Sequence, residues 1–171
     1  SGDVAITGTG GTASGESAAG IWVMAGADIQ STGGAKIALV GTAGIGQPWG
    51  TFGTWLEGDG TTITSNAGDI HLIGTGGAGS GDWNMGIWIY KAAILATGNA
   101  KVTIEGTGGS GVSSANGVAL QGAGTRVTAV NGDITIEGHG GLAATGSFNR
   151  GVGVFEGTLI QSTGSGAINL I

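Results

Sequence analysis

The stretch Ile70-His71-Leu72-Ile73-Gly74-Thr75-Gly76-Gly77 decides the fold, because versions of it recur along the whole chain. The copies begin at Val4, Ile37, Ile70, Val102 and Ile134, and a shortened copy begins at Ile168. Successive copies start 33, 33, 32, 32 and 34 residues apart. A repeat of this length indicates a solenoid or a propeller, in which each repeat is one supersecondary unit that buries its apolar face on its neighbours.

Each repeat contains two further apolar phrases, so three short strands are expected per repeat. The second phrase begins at Gly20, Gly53, Gly86, Gly117 and Gly151, and the third is centred on Ile29, Ile63, Ile94, Val127 and Ile160. The phrases alternate with a period of two, which is typical of strands, whereas frequent glycine disfavours helix. Equivalent aliphatic residues should then form core columns, one of which is Ile6, Leu39, Leu72, Ile104, Ile136 and Leu170.

Three strands per repeat, joined by glycine-rich corners, predict an all-β parallel β-helix of about five rungs. The chain, residues 1–171, is then a single solenoid with repeats at approximately 2–34, 35–67, 68–99, 100–131 and 132–165 and a partial repeat at 166–171. A β-propeller is the competing architecture, but its blades need about four strands and ~40 or more residues. The corner Gly8-Thr9-Gly10 and its copies are expected to need positive φ angles, which glycine adopts freely.

Both ends of the chain fall within a first-strand phrase. We therefore expect a piece of a longer array. The strands Val4–Thr7 and Ile168–Ile171 would be uncovered and could pair with another chain.

Composition excludes several classes of function. The 171 residues include 41 glycines and no cysteine, carry a formal net charge of −6 and are 40% apolar but only 9% charged. The basic residues are Lys36, Lys91, Lys101, Arg126 and Arg150. They are too few to neutralise nucleic-acid phosphates or to dock the chain on anionic lipid. No apolar run approaches the ~20 residues of a membrane span.

One outward column is expected to carry alternating charge just before each first strand. Its members are Asp3, Lys36, Asp69, Lys101 and Asp133. Opposite charges on adjacent rungs attract and like charges repel, so the alternation should select the register and form a modest ladder of surface ion pairs.

A second outward column is aromatic. Trp22, Trp55 and Trp88 occupy equivalent positions between inward-pointing residues, and Tyr90 lies two residues beyond the last of them. Trp49 and Trp83 precede the second phrase, in the long loop where repeat proteins commonly bind ligands. The strip is suited to stacking on sugar rings or to packing against a partner. Alternatively, the loops cover it, and Trp49, Phe52, Trp83 and Met85 form a small second core.

Catalytic and metal motifs are weak. His71 and His139 fall on different columns two rungs apart, which disfavours a shared metal site. Glu105 and Glu137 occupy adjacent rungs at ~4.8 Å, close to the separation of the two carboxylates in retaining glycosidases. No cleft and no further acid accompany them. Polysaccharide cleavage is therefore a weaker hypothesis than a structural rod or a glycan-binding surface. We expect no enzymatic activity, no metal and no cofactor.

The recurring phrases resemble those of very large bacterial exoproteins. Gly68-Asp69-Ile70, Gly132-Asp133-Ile134 and Ala27-Asp28-Ile29-Gln30-Ser31-Thr32-Gly33 are similar to the β-strand repeats of filamentous-haemagglutinin-like and autotransporter-like adhesins. This resemblance implies secretion, a right-handed parallel β-helix and a stalk or adhesive role at the bacterial cell surface. Its partners would be further copies, end to end or laterally, or a cell-surface glycan or protein. The tryptophan column is a departure, because a pure spacer does not need it.

Overall fold

The computed structural model describes residues 2–15, 17–46 and 50–171, and every regular element there is a β-strand. The strands belong to parallel sheets that stack as a β-solenoid of about five turns, ~33 residues apart. The predicted architecture is confirmed. Because a propeller is built from antiparallel strands, the parallel pairing excludes that alternative.

Sheet 1 collects the first strand of every rung. In spatial order its strands are β1 (Val4–Thr9), β4 (Ile37–Thr42), β8 (Ile70–Thr75), β12 (Val102–Thr107), β15 (Ile134–His139) and β18 (Ile168–Leu170). Equivalent residues pair directly across it, as Leu72 does with Leu39 on one side and Ile104 on the other.

Sheets 2 and 3 collect the second and third strands. Sheet 2 contains β2 (Ile21–Met24), β6 (Phe52–Glu57), β10 (Met85–Tyr90), β13 (Val118–Gln121) and β16 (Val152–Val154). Sheet 3 contains β3 (Asp28–Ser31), β7 (Thr62–Ser65), β11 (Ala93–Ala96), β14 (Arg126–Ala129) and β17 (Leu159–Ser162). None of the described residues forms a helix that is long and apolar enough to cross a membrane.

The loop between sheets 1 and 2 is itself paired from rung to rung. Two-residue strands β5 (Ile45–Gly46) and β9 (Ala78–Gly79) form a small parallel sheet there. Single parallel bridges extend it, joining Thr12 to Ile45, Ala78 to Ser110 and Gly111 to Ala144. The loop is therefore a fourth, irregular side of the solenoid, and it holds its side chains at defined heights beside sheet 2.

The aliphatic columns form one continuous core between the three sheets. In the column that contains Leu72, the four central residues are fully buried. Its outer members are more exposed, with 36% of Ile6 and 52% of Leu170 accessible. Burial in this column thus depends on having a rung on each side.

The corner glycines are required for a different reason from the expected one. Gly8, Gly10 and their equivalents do not have positive φ angles; left-handed glycines lie mainly in the turns between sheets 2 and 3, as at Gly58 (φ 96°). Instead, the backbone of sheet 1 touches that of sheet 2 at the corner. A Cβ on Gly74 would lie 2.1 Å from the carbonyl oxygen of Gly86. The corner therefore needs glycine because it leaves no room for a side chain.

Candidate functional site

The charged column lies on the edge of the solenoid and acts mainly through backbone hydrogen bonds. Each aspartate accepts the N–H of the equivalent residue on the next rung through Oδ1, in the pairs Asp3–Lys36, Asp69–Lys101 and Asp133–Ala167, all at 2.9 Å. Among the described residues, the column contains one ion pair, between Lys101 Nζ and Asp133 Oδ2 at 3.4 Å. The N–H of Ala167 and the ammonium of Lys101 lower the pKa of Asp133 below its ordinary value. The expected ladder is thus one of carboxylate–amide contacts more than of ion pairs.

Three indoles stack along the outer face of sheet 2. In-register pairing of the strands places Trp22 beside Trp55 and Trp55 beside Trp88. The first two rings are 4.4 Å apart and 3° from parallel, and the next two are 5.1 Å apart and 19° from parallel. Tyr90 continues the cluster sideways, with its ring 5.4 Å from that of Trp88. We call the three indoles the aromatic column.

The two interpretations of this column each hold for part of it. Phe52 packs against Trp55 at 4.8 Å, and these residues form a small second core with Met85 and Ala119. Only 9% of Trp55 is accessible, whereas 48% of Trp22 is. The column is therefore covered in the middle and open at its first rung. Trp49, which was expected to belong to the site, lies outside the described residues.

One position of the loop has strained backbone on three rungs, and two of its three side chains are aromatic and project beside the column. Trp83, Ser114 and Phe148 lie at the same position of successive rungs, three residues before the glycine of the second phrase, and their φ angles are 67°, 58° and 66°. A bulky residue at positive φ costs about 1–3 kcal/mol, and such strain concentrates at functional sites. Trp83 and Phe148 are nonetheless 44% and 62% exposed. Burial of the two aromatic side chains therefore does not offset the backbone strain. This combination points to a role at the surface.

The indole N–H groups differ in their partners. Trp22 Nε1 donates to Glu57 Oε2 at 3.2 Å. The Nε1 atoms of Trp55 and Trp88 are buried and meet no acceptor in the part of the chain that the structure describes. An unsatisfied buried donor costs about 1–3 kcal/mol. The aromatic cluster is therefore not arranged for stability alone.

Two recesses flank Trp83 and Trp88 on this face. The first, of about 330 Å³, is lined by Ser17, Gly50, Phe52, Trp55, Glu57, Trp83 and Trp88. The second, of about 180 Å³, is lined by Trp83, Met85, Trp88, Ser114, Asn116, Ala119, Gln121, Arg150, Phe155 and Glu156. We call the second recess the slot. Both combine aromatic walls with a few polar groups, which is the usual composition of a ligand site.

Asparagines at the edge of sheet 2 fix the loops, and sequence analysis missed them. Asn84 Oδ1 accepts the N–H and the hydroxyl of Thr51, and Asn116 Oδ1 accepts the N–H of Arg150. The same contact recurs from Asn149 to the N–H of Ala115. The available signal was the presence of asparagine one or two residues before the glycine of the second phrase in the last three full rungs.

The histidine and glutamate residues of sheet 1 form two separate exposed pairs. His71 Nε2 lies 3.2 Å from Glu105 Oε1, without the alignment of a hydrogen bond, and His139 Nε2 lies 3.2 Å from Glu137 Oε1. Glu105 and Glu137 pair in register and, with His139, line a recess of about 210 Å³. Among the described residues, no three His, Cys, Asp or Glu side chains come together to hold a metal ion.

Comparison of the chain with models of known protein families, with curated proteins and with solved structures finds no significant match. The geometry of these surfaces is therefore the basis for assigning a function.

Proposed function

We propose that this chain is a non-enzymatic structural segment of a large bacterial cell-surface or extracellular repeat protein, and that its stacked rungs build a rod. The observation that carries the proposal is the unbroken register of sheet 1, where every first strand pairs residue for residue with the next. At ~4.8 Å per rung, five rungs span ~24 Å. Such an array gains length by adding rungs, since each rung contacts only its neighbours.

The engagement of the acidic side chains supports a structural role. Asp3, Asp69 and Asp133 hold backbone amides of the next rung, and Glu105 and Glu137 lie beside histidines on an exposed sheet. A catalytic acid pair of a glycosidase instead flanks the scissile bond of a substrate. Further copies of the rod, packed end to end or laterally, are the partners that this function implies.

Location and assembly can be tested separately. Antibodies against residues 1–171 should label intact cells of the producing organism, and labelling only after permeabilisation would contradict a surface location. Analytical ultracentrifugation and electron microscopy should reveal concentration-dependent association of the purified chain into longer rods. A monodisperse monomer at the highest attainable concentration would leave a spacer role but remove self-association.

A second candidate function is glycan binding by the aromatic face. The favouring observation is that Trp22 and Trp83 are about half exposed, next to two recesses with aromatic walls. Sugar rings stack their apolar faces on such indoles. Binding to a broad glycan panel should fall in Trp22→Ala and Trp83→Ala. It should be unchanged in Leu142→Ala, which removes an exposed apolar side chain that lies outside the aromatic column and lines neither recess. Equal binding by all variants would contradict this function.

A further inference from the structure

We propose that the slot binds one ring of an acidic sugar, a hexuronate within a glycan, and that Arg150 holds its carboxylate. This inference depends on the glycan-binding function proposed above and names the class of ligand. It follows from a gap in the aromatic column and from a cation beside that gap with no anionic partner.

The gap arises because the fourth rung carries small side chains. Ala119 occupies the position of the three tryptophans, and Gly153 follows it on the fifth rung. The ring of Phe155 folds over Gly153, where a Cβ would lie 2.5 Å from the ring. The aromatic column therefore resumes one rung later, with Trp88 on one side of Ala119 and Phe155 on the other.

The floor of the gap is covered, because Ala119 is 1% accessible and both Trp88 and Phe155 pack against the cluster that contains it. No ring contact joins Trp88 to Phe155 among the described residues, although each adjacent pair within the aromatic column is in contact. The slot, at about 180 Å³, has the volume of roughly six water molecules. A ligand ring would therefore lie at the mouth of the slot, beside Trp83, Arg150 and Phe155.

Arg150 supplies the charge. Its guanidinium carbon lies 4.8 Å from the centroid of Phe148 and 5.4 Å from that of Phe155, so two rings fix its position. The guanidinium makes no ion pair and no hydrogen bond with any described residue. A positioned guanidinium presents two parallel N–H donors, which match a carboxylate. Glu156 lines the same slot but forms no ion pair with Arg150, so the guanidinium is free to hold the carboxylate of a ligand.

The remaining polar groups favour a sugar with a single carboxylate. The side-chain N–H₂ of Asn116 and the amide of Gln121 donate to no described residue, and Glu156 supplies acceptors for hydroxyl groups. One guanidinium beside a glutamate, on a chain of net charge −6, disfavours densely charged sulfated chains. A hexuronate carries one carboxylate and several hydroxyls on one ring, and it fits this set of donors and acceptors.

The test is calorimetric titration of the whole chain at low salt with galacturonate oligosaccharides, matched neutral galactose oligosaccharides and a sulfated galactan. We expect the uronate to bind at least about tenfold more tightly than the neutral sugar, because a hydrogen bond to a charged group contributes about that factor. Ala119→Trp should abolish uronate binding by filling the slot. Trp already occupies this position on three rungs, but Ala119 is buried, so the thermal transition of this variant is measured as its control for folding.

Arg150→Gln is the second variant and does not alter the walls of the slot. It should reduce uronate affinity about tenfold or more and leave the affinity for neutral sugar unchanged. Uronate binding that survives both variants would overturn the inference, and so would equal affinity for the three glycans or no binding of uronate. If neutral glycans bind, and lose binding in Trp22→Ala, while uronates do not bind, the glycan-binding function stands and this inference fails. If no glycan binds, both fail.

Discussion

Truncation of Leu72 tests whether stacked core columns stabilise this solenoid. Leu72 is fully buried at the centre of sheet 1, between Leu39 and Ile104. Leu→Ala changes in cores cost about 2.7–5 kcal/mol, more where the surroundings cannot close the cavity. The strand that carries Leu72 is hydrogen-bonded on both sides, so its backbone cannot move inward to fill the void. We therefore expect Leu72→Ala to lower the free energy of unfolding by about 4 kcal/mol.

The matched control is the same change at the end of the same column. Leu170 is 52% exposed, so Leu170→Ala removes about half of a contribution of 1.5–3 kcal/mol, or about 1 kcal/mol. Urea unfolding followed by circular dichroism gives both values, provided that slopes agree among variants. The expected result is a larger loss in the free energy of unfolding for Leu72→Ala than for Leu170→Ala. Equal losses at the two positions, or a larger loss at Leu170, would refute the reasoning that burial between two rungs determines the cost.

Three further predictions concern the corner, the charged column and the aromatic column. Gly74→Ala should destabilise the chain by about 3 kcal/mol or more in urea unfolding, because its Cβ would collide with backbone. Gly33→Ala, where a Cβ meets nothing within 4 Å, should be neutral or slightly stabilising. Equal losses of stability in the two variants would contradict this prediction. The pKa of Asp133 is lowered in the folded chain, so the stabilising effect of its carboxylate is complete above the ordinary aspartate pKa of ~3.9 and is lost as the pH falls through the lowered value. Asp133→Asn should therefore reduce stability at neutral pH and flatten the acid side of the pH–stability curve. An unchanged curve would count against this prediction. In thermal melts, Trp55→Ala should cost about 3–5 kcal/mol and Trp22→Ala about 1 kcal/mol, because the indole of Trp55 is buried and that of Trp22 is half exposed. The reverse order would contradict the assignment of the covered and open parts of the column.

The architecture could be predicted because a solenoid is specified by period more than by detail. Once Ile70 aligns with Ile37 and Val102 at steps of 33 and 32 residues, the pairing of parallel strands follows without knowledge of any loop. Alternation then separates inward Leu72 from outward His71. The outward direction of Trp22 followed from the same rule, because Ile21 and Val23 on either side of it are buried.

The parts that failed depend on distances across the solenoid, which a period does not contain. Gly74 recurs at the corner whether the reason is a positive φ or a crowded backbone, and only the approach of Gly86 distinguishes the two. The ladder of ion pairs was expected from charge alternation alone. Each aspartate also accepts a backbone N–H that lies within reach of its short side chain, as Asp69 does from Lys101, and of the expected ion pairs the described residues show Lys101–Asp133.

The change of residues at the fourth rung bears on whether the aromatic face is scaffold or site. If the face existed to stiffen the rod, continuing the tryptophan column through Ala119 and Gly153 would extend the stacking, and each stacked pair adds about 0.5–1.5 kcal/mol. Instead the column stops, and Phe155 resumes it beyond a gap that Arg150 borders. The core columns of the same rungs continue without interruption. The core is thus regular where the outer face changes its residues, beside strained exposed aromatics such as Phe148, and this local irregularity is the observation on which the glycan-binding proposal depends.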